Sequence, residues 1–186
     1  MAAPPATSWL RSRFADARTA RLSLRCPLAE DSAGVYRIEG DPATNRHNPD
    51  GPDPDLAASE RRVAAWLQNW AEDGLGYWVI RLAADGPDSA IIGVGGLRYL
   101  PWGERHILNL YYRFMPSAWG HGYATEMARE AIRMACAYLP ELPIVARIRR
   151  QNAPSLAVAV RAGLVRQPDL DTAEHLIYAL GWEDSK

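Results

Sequence analysis

The stretch Met115-Pro116-Ser117-Ala118-Trp119-Gly120-His121-Gly122 constrains this chain more than any other. It follows an apolar run, Ile107–Phe114. It precedes a segment, Tyr123 to about Tyr138, in which Ala124, Met127, Ala128, Ala131, Ala135 and Tyr138 recur at helical spacing. A strand therefore ends and a helix begins across a turn holding two glycines. Gly120 and Gly122 let the backbone approach a ligand closely. The first helical turn leaves four N–H groups without acceptors at the positive end of the helix dipole. The junction predicts an anion site suited to a phosphate or pyrophosphate. Glycines acting only as turn residues would produce the same string.

Two nucleotide motifs are excluded. Thr125 stands where a dinucleotide fingerprint needs its third glycine, and the following strand, Pro143–Ile148, leads into Arg149-Arg150 with no acid to hold a ribose. No Gly-Lys-Ser/Thr occurs, so a nucleoside-triphosphate loop is absent. Gly93-Val94-Gly95-Gly96 continues through Leu97-Arg98-Tyr99 as strand, with its glycines inside that strand around a bulge.

Charge favours a polyanion on the same half. Between Ala118 and Gln167 stand seven arginines (Arg129, Arg133, Arg147, Arg149, Arg150, Arg161, Arg166) against Glu126, Glu130 and Glu141, whereas the 186-residue chain carries a net −1. That overall balance argues against a general nucleic-acid binder. No apolar run approaches the ~18 residues of a membrane helix, so no membrane partner is expected. No secretory signal is read at the start, and Cys26 and Cys136 lie far apart in no metal spacing. A reducing, cytoplasmic setting without metal fits that pattern.

The organisation reads as one domain over 19–186 behind an Ala/Pro- and then Arg-rich tail or lead-in, 1–18. Alternation of Leu22, Leu24 and Cys26 predicts a half-buried strand. Leu28–Glu39 is weakly helical, and Asp41–Pro54, with four prolines, is a loop. Leu56–Trp70 is a helix whose Leu56, Val63, Trp66, Leu67 and Trp70 share a face. Tyr77–Leu82, Ile91–Leu97 and Ile107–Phe114 form an antiparallel meander. Asn152–Ala162 is a helix capped by Asn152 and ended by Gly163, and Glu174–Leu180 is the last strand.

Gly120-x-Gly122-x-Ala124 after a strand, then Asn152-x-x-Ser155 and Ala162-Gly163-Leu164 about 30 residues on, resembles the GNAT acyltransferases. The Arg-Leu-x-Leu-Arg core within Thr19–Pro27 and the string Trp-Gly-x-Gly-Tyr-Ala-Thr-Glu look like its RimJ/RimL branch, and the likeness spans about Thr19–Leu180. The resemblance implies a mixed α/β (α+β) acyl-CoA N-acyltransferase fold, a mostly antiparallel splayed sheet flanked by helices. It implies that pantetheine amides pair with the backbone ending Ile107–Phe114, at Tyr112 and Phe114. The pyrophosphate would rest on Gly120, His121, Gly122, Tyr123, Ala124 and Thr125. Trp119 takes the place of the family's Gln or Arg, a change that backbone donors tolerate. Asn152 matches a residue that contacts the pantetheine arm, and capping its helix is a compatible role.

A thioester is already activated. An acyltransferase must hold a neutral amine in line, stabilise the tetrahedral oxyanion and protonate the departing thiolate. Backbone N–H groups near Tyr112 and Phe114 are candidate oxyanion donors. Relatives often carry Glu where this chain has Asn109, and relatives outside the branch a Tyr where it has Ala159; neither substitute can move the proton. Ser155 is the remaining hydroxyl in a matching position. Glu174 or His175, of which one can face inward, and His47 in Asn45-Arg46-His47-Asn48-Pro49 are candidate bases, with direct attack assisted by water the alternative. Trp66, Trp70, Tyr77 and Trp78 suit either core packing or an apolar substrate mouth. The reading is transfer of acetyl from acetyl-CoA, as co-substrate, to a primary amine such as a protein N-terminus or small amine. Its rivals are another donor such as succinyl-CoA, or a catalytically silent CoA-binding regulator. Homodimers are common in the family.

Overall fold

Tyr77–Leu82 and the glycine-bearing run after it pair because a polar turn folds them back on each other, and the rest of the sheet grows from that hairpin. The computed structural model describes residues 7–182. Strands β1 (Asp16–Arg18), β2 (Leu22–Arg25), β3 (Tyr77–Leu82), β4 (Gly93–Trp102) and β5 (Arg105–Phe114) pair successively antiparallel. β5 then runs parallel to β6 (Ile144–Arg149), and β8 (His175–Leu180) lies antiparallel between β6 and the short β7 (Val165–Arg166). The result is an eight-stranded mixed sheet.

Strand alternation assigns two faces. One carries Leu108, Leu110, Phe114, Ile144, Ala146 and Ile148, which pack with Met127, Ala128 and Ala131 of α4 (Tyr123–Tyr138) and with Ala159 of α5 (Ala153–Ala162). The other carries Tyr77, Val79 and Val94 under Val35 and Ile38 of α2 (Ser32–Glu39) and Val63 and Trp66 of α3 (Leu56–Asp73). It continues through Ile107, Val145, Ile177 and Ala179. The expected helix over Tyr123–Tyr138 is observed with those ends. α5 begins at the expected cap: the Asn152 side chain accepts the Ser155 N–H at 3.2 Å, and Gly163 ends the helix in the left-handed region.

Several details differ from the sequence reading. Residues 1–6 of the tail or lead-in lie outside the described residues. From Thr7 onward that segment is a helix, α1 (Thr7–Phe14), with Leu10 and Phe14 buried, followed by β1. It docks because Trp78 Nε1 donates to the Phe14 carbonyl at 2.6 Å, an anchor that apolar periodicity does not reveal. The buried stripe of α3 is Ser59, Val63, Trp66 and Trp70, while Leu56, first in the helix, is 41% exposed. β4 and β5 extend beyond their expected ends around Gly103, whose φ is +60°. The tryptophans are core: Trp66, Trp70 and Trp78 are buried, and Trp70 Nε1 donates to the Tyr77 carbonyl at 3.0 Å. Among the described residues no helix is long and apolar enough to cross a membrane.

Candidate active site

β5 and β6 pair only at Leu108–Ile144 and Asn109–Val145; beyond that β6 continues with β8 alone. The separation opens a cleft of about 850 Å³ that reaches both faces of the sheet. On the α4/α5 side it is lined by Tyr112, Phe114, Trp119, Gly120, Gly122, Tyr123, Ala124, Thr125, Asn152 and Ser155, all of them residues the sequence singled out. His121 is not in the lining; its ring stacks on Tyr123 with centroids 5.4 Å apart.

The turn before α4 is built for approach. Gly120 and Gly122 both have φ +80°, a region that L side chains enter at a cost of about 1–2 kcal/mol. The Glu126 N–H bonds the Gly122 carbonyl at 3.0 Å, so the N–H groups of Tyr123, Ala124 and Thr125 have no helical acceptor. Trp119 is 42% exposed yet fixed: Nε1 donates to the Phe114 carbonyl at 2.8 Å, and Arg46 lies 5.1 Å over its ring. A second cleft of about 700 Å³ adjoins Gly122 and Thr125, with Arg21, Arg129, Arg133 and Arg161 on its walls beside Glu126 and Glu130, which pair with Arg21 and Arg133.

Tyr112 donates its hydroxyl to the Ser155 carbonyl at 2.9 Å, and burial raises its pKa well above the usual phenol value. It therefore stays protonated at neutral pH. Ala159 is buried and Asn109 donates to the Tyr77 hydroxyl at 2.8 Å, so neither position holds a base.

The α2/α3 side is different in kind. Tyr111, Arg113, Arg147, Arg149 and His175 line it, together with His47 from the loop after α2. The pairing Arg149–His175 decides which residue at the start of β8 turns inward. His175 lines the cleft, whereas the Glu174 side chain is 65% exposed and bonds Arg149 at 2.5 Å, outside the lining. Burial first, then the nearby Arg149 and Arg147 charges, lowers the His175 pKa below its ordinary value.

Sequence reasoning missed the support for this wall. Glu39, 1% exposed, accepts from the Tyr111 hydroxyl and from Arg113 Nη1, each at 2.7 Å, and Arg113 also bonds Asn45. Asp53 accepts from Ser59 at 2.7 Å and from Arg62 at 2.5 Å. These bonds tie the proline-rich loop to α3 and β5. Of the arginines that favoured a polyanion, Arg149 bonds the exposed Glu174, and Arg150, outside the cleft lining, donates to the Thr172 and Ala173 carbonyls. Among the described residues no group of three or more His, Cys, Asp or Glu is placed to hold a metal.

A mixed sheet parted between parallel central strands, with a glycine turn and helix N-terminus at the parting, defines an acyl-CoA-dependent acyltransferase. The model of the acetyltransferase (GNAT) domain family matches residues 21–165, and the chain belongs to that family. It is thus an acyl-CoA-dependent N-acetyltransferase. No curated protein matches the sequence significantly. Among solved structures it is similar to an acetyltransferase from Agrobacterium tumefaciens, with 28% identity, TM-score 0.74, and coverage of 89% of this chain and 93% of that one. It shares the fold of Mycobacterium smegmatis RimJ in complex with CoA-disulfide, with 19% identity, TM-score 0.65 and 86% and 81% coverage. It also shares the fold of the ribosomal-protein-S5-alanine acetyltransferase from Vibrio fischeri, with 15% identity, TM-score 0.66 and 89% and 95% coverage.

Proposed function

We propose that the protein transfers acetyl from acetyl-CoA to a primary amine within the β5/β6 cleft, in the manner of the RimJ/RimL branch that its motifs resemble. The observation that carries this reading is a single cleft open to both faces, with the glycine turn on one side and a histidine on the other. The pyrophosphate rests on Gly120–Thr125 and the pantetheine arm runs past Asn152 along Tyr112–Phe114. The arginines beside Gly122 suit the nucleotide end. An amine entering from the α2/α3 side meets the thioester from the opposite face.

The amine nitrogen attacks the carbonyl carbon and the carbonyl electron pair moves to oxygen, where backbone N–H groups near Tyr112 and Phe114 receive it. Nitrogen loses a proton to His175, which burial and its arginine neighbours keep neutral. Collapse breaks the C–S bond. The thiolate leaves beside Ser155, whose hydroxyl hydrogen-bonds it, and the proton held by His175 passes to it through water. Glu174 pairs with Arg149 on the rim, outside the cleft lining, and does not take the proton. The test is free-thiol release from acetyl-CoA, and separately from succinyl-CoA, across an amine panel. Release that requires both acetyl-CoA and amine is expected. Tight acetyl-CoA binding with no release for any amine would refute transfer and favour a silent module, a reading motivated by Asn109 and Ala159.

A further inference from the structure

The wall facing the incoming amine is cationic, which is unusual for a site whose substrate is itself a cation in water. On β6, Ala146 and Ile148 pack into the core while the alternating Arg147 and Arg149 project from the α2/α3 face into the cleft. Two residues along a strand place them about 6.6 Å apart. Arg147 is exposed and makes no ion pair or hydrogen bond among the described residues. Arg149 has one partner, Glu174, which is largely in solvent. Exposed pairs of this kind are weakly held and readily exchanged. Arg113 is neutralised by the buried Glu39 behind it. Only Asp50, on the loop opposite, brings a carboxylate to the lining.

We infer that the acceptor is an amine that also carries an oxyanion, a carboxylate or phosphate, gripped by Arg147 and Arg149 while its nitrogen faces the thioester. The inference rests on the N-acetyl transfer proposed above and names the substrate class for that site. Two guanidiniums offer paired donors matched to either oxyanion. Their field also opposes protonation of the neighbouring nitrogen, so the group that binds the substrate helps present its amine neutral. His175 on the same wall is held below its ordinary pKa by burial first and then by the Arg149 and Arg147 charges. Polyamines, with further positive charges, are disfavoured by this wall.

The experiment compares matched amines by thiol release at equal concentrations of unprotonated amine: β-alanine against β-alaninamide, O-phosphoethanolamine against ethanolamine, and putrescine. We expect the oxyanion-bearing member of at least one pair to have kcat/KM at least about tenfold higher, equivalent to about 1.4 kcal/mol. The carboxylate and phosphate pairs identify which oxyanion is read. Arg147→Gln and Arg149→Gln should erase that preference by raising the amine KM with the acetyl-CoA KM unchanged. Glu174→Gln, which releases Arg149, should lower the amine KM. Equal rates across charge, or a preference for putrescine, would overturn the inference while leaving acetyl transfer standing. A preference that survives both arginine variants would overturn the assignment to this wall. Absence of release from every amine would overturn both readings.

Discussion

Gly122→Glu separates backbone strain from occupation of the phosphate site. Gly122 caps α4 at φ +80°, and a Cβ there would meet only Arg21 Nη2, at an ordinary 3.7 Å. Crowding is therefore absent, and the cost is conformational, about 1–2 kcal/mol for an L residue in the left-handed region. In a chain of this length that lowers the apo Tm by about 2–8 °C. Gly122→Ala carries the same cost without the charge. A glutamate at the helix N-terminus recovers about 0.3–1 kcal/mol from the dipole, so apo Gly122→Glu should be no less stable than the alanine variant. Acetyl-CoA at 100 times its Kd stabilises the wild type by about 2.7 kcal/mol. That corresponds to a rise of about 5–11 °C, read by differential scanning fluorimetry. Gly122→Ala should keep most of this rise. Gly122→Glu sets a carboxylate among the N–H groups of Tyr123–Thr125 and should lose it. A full wild-type shift in Gly122→Glu, or its complete loss in Gly122→Ala, would refute the placement of the phosphate.

His175→Gln should lower amine turnover at pH 7 by at least about 10²-fold, the lower bound for a positioned base, with the acetyl-CoA thermal shift intact. Burial, Arg149 and Arg147 hold this imidazole below its ordinary pKa against the opposing charge of Glu174, with the Thr172 hydroxyl 3.5 Å from Nδ1. Its basic form thus dominates at neutral pH, and the acid limb of the wild-type rate profile should lie below about pH 6.5 and vanish in the variant; an unchanged limb refutes the role. Asp53→Asn should cost about 1.5–3 kcal/mol in urea melts at pH 7 by weakening its charged bonds to Arg62 and Ser59. The Arg62 bonds first, then burial opposing and Ser59 assisting, hold the Asp53 carboxyl below its ordinary pKa. Its stabilisation is therefore present above about pH 4 and lost as pH falls through the lowered folded value, so the gap from wild type should close in acid; a constant gap contradicts this. Gly95→Ala should destabilise by about 1–3 kcal/mol in the same melts, since its Cβ would lie 2.6 Å from the Tyr111 carbonyl and 2.9 Å from Tyr112 Cα. A neutral result would show that β4 and β5 yield at this point.

What was legible in the sequence depended on local signals. The start of α4 follows from two glycines before a helical period, and the Asn152 cap and Gly163 stop each act within a few residues. α1 escaped because two buried residues, Leu10 and Phe14, make too short a stripe, and its anchor comes from Trp78, 64 positions away. The choice between Glu174 and His175 needed the register of β8 against β6, which alternation alone leaves open. Glu39 was hidden for a similar reason. Its partners Tyr111, Arg113 and Arg62 come from other elements, so nothing beside it in the chain marks it as buried. The arginine wall did carry a local signal: Arg147 and Arg149 flank Ile148, an alternation that puts both on one face.

The short β5–β6 ladder gives this sheet an edge in its interior. Past Asn109, half of the peptide groups of β5 face a neighbour that has turned away, the situation in which outer strands recruit other chains and aggregate. Outer strands blunt that hazard with charge, bulges or brevity. Here residues of α4 and α5 flank the gap on one side and the loop residues 43, 44 and 46–50 on the other, so the open edge lies inside a cleft and not on the outer rim of the sheet. A thin, flexible chain with its own amides can still enter and act as a temporary strand.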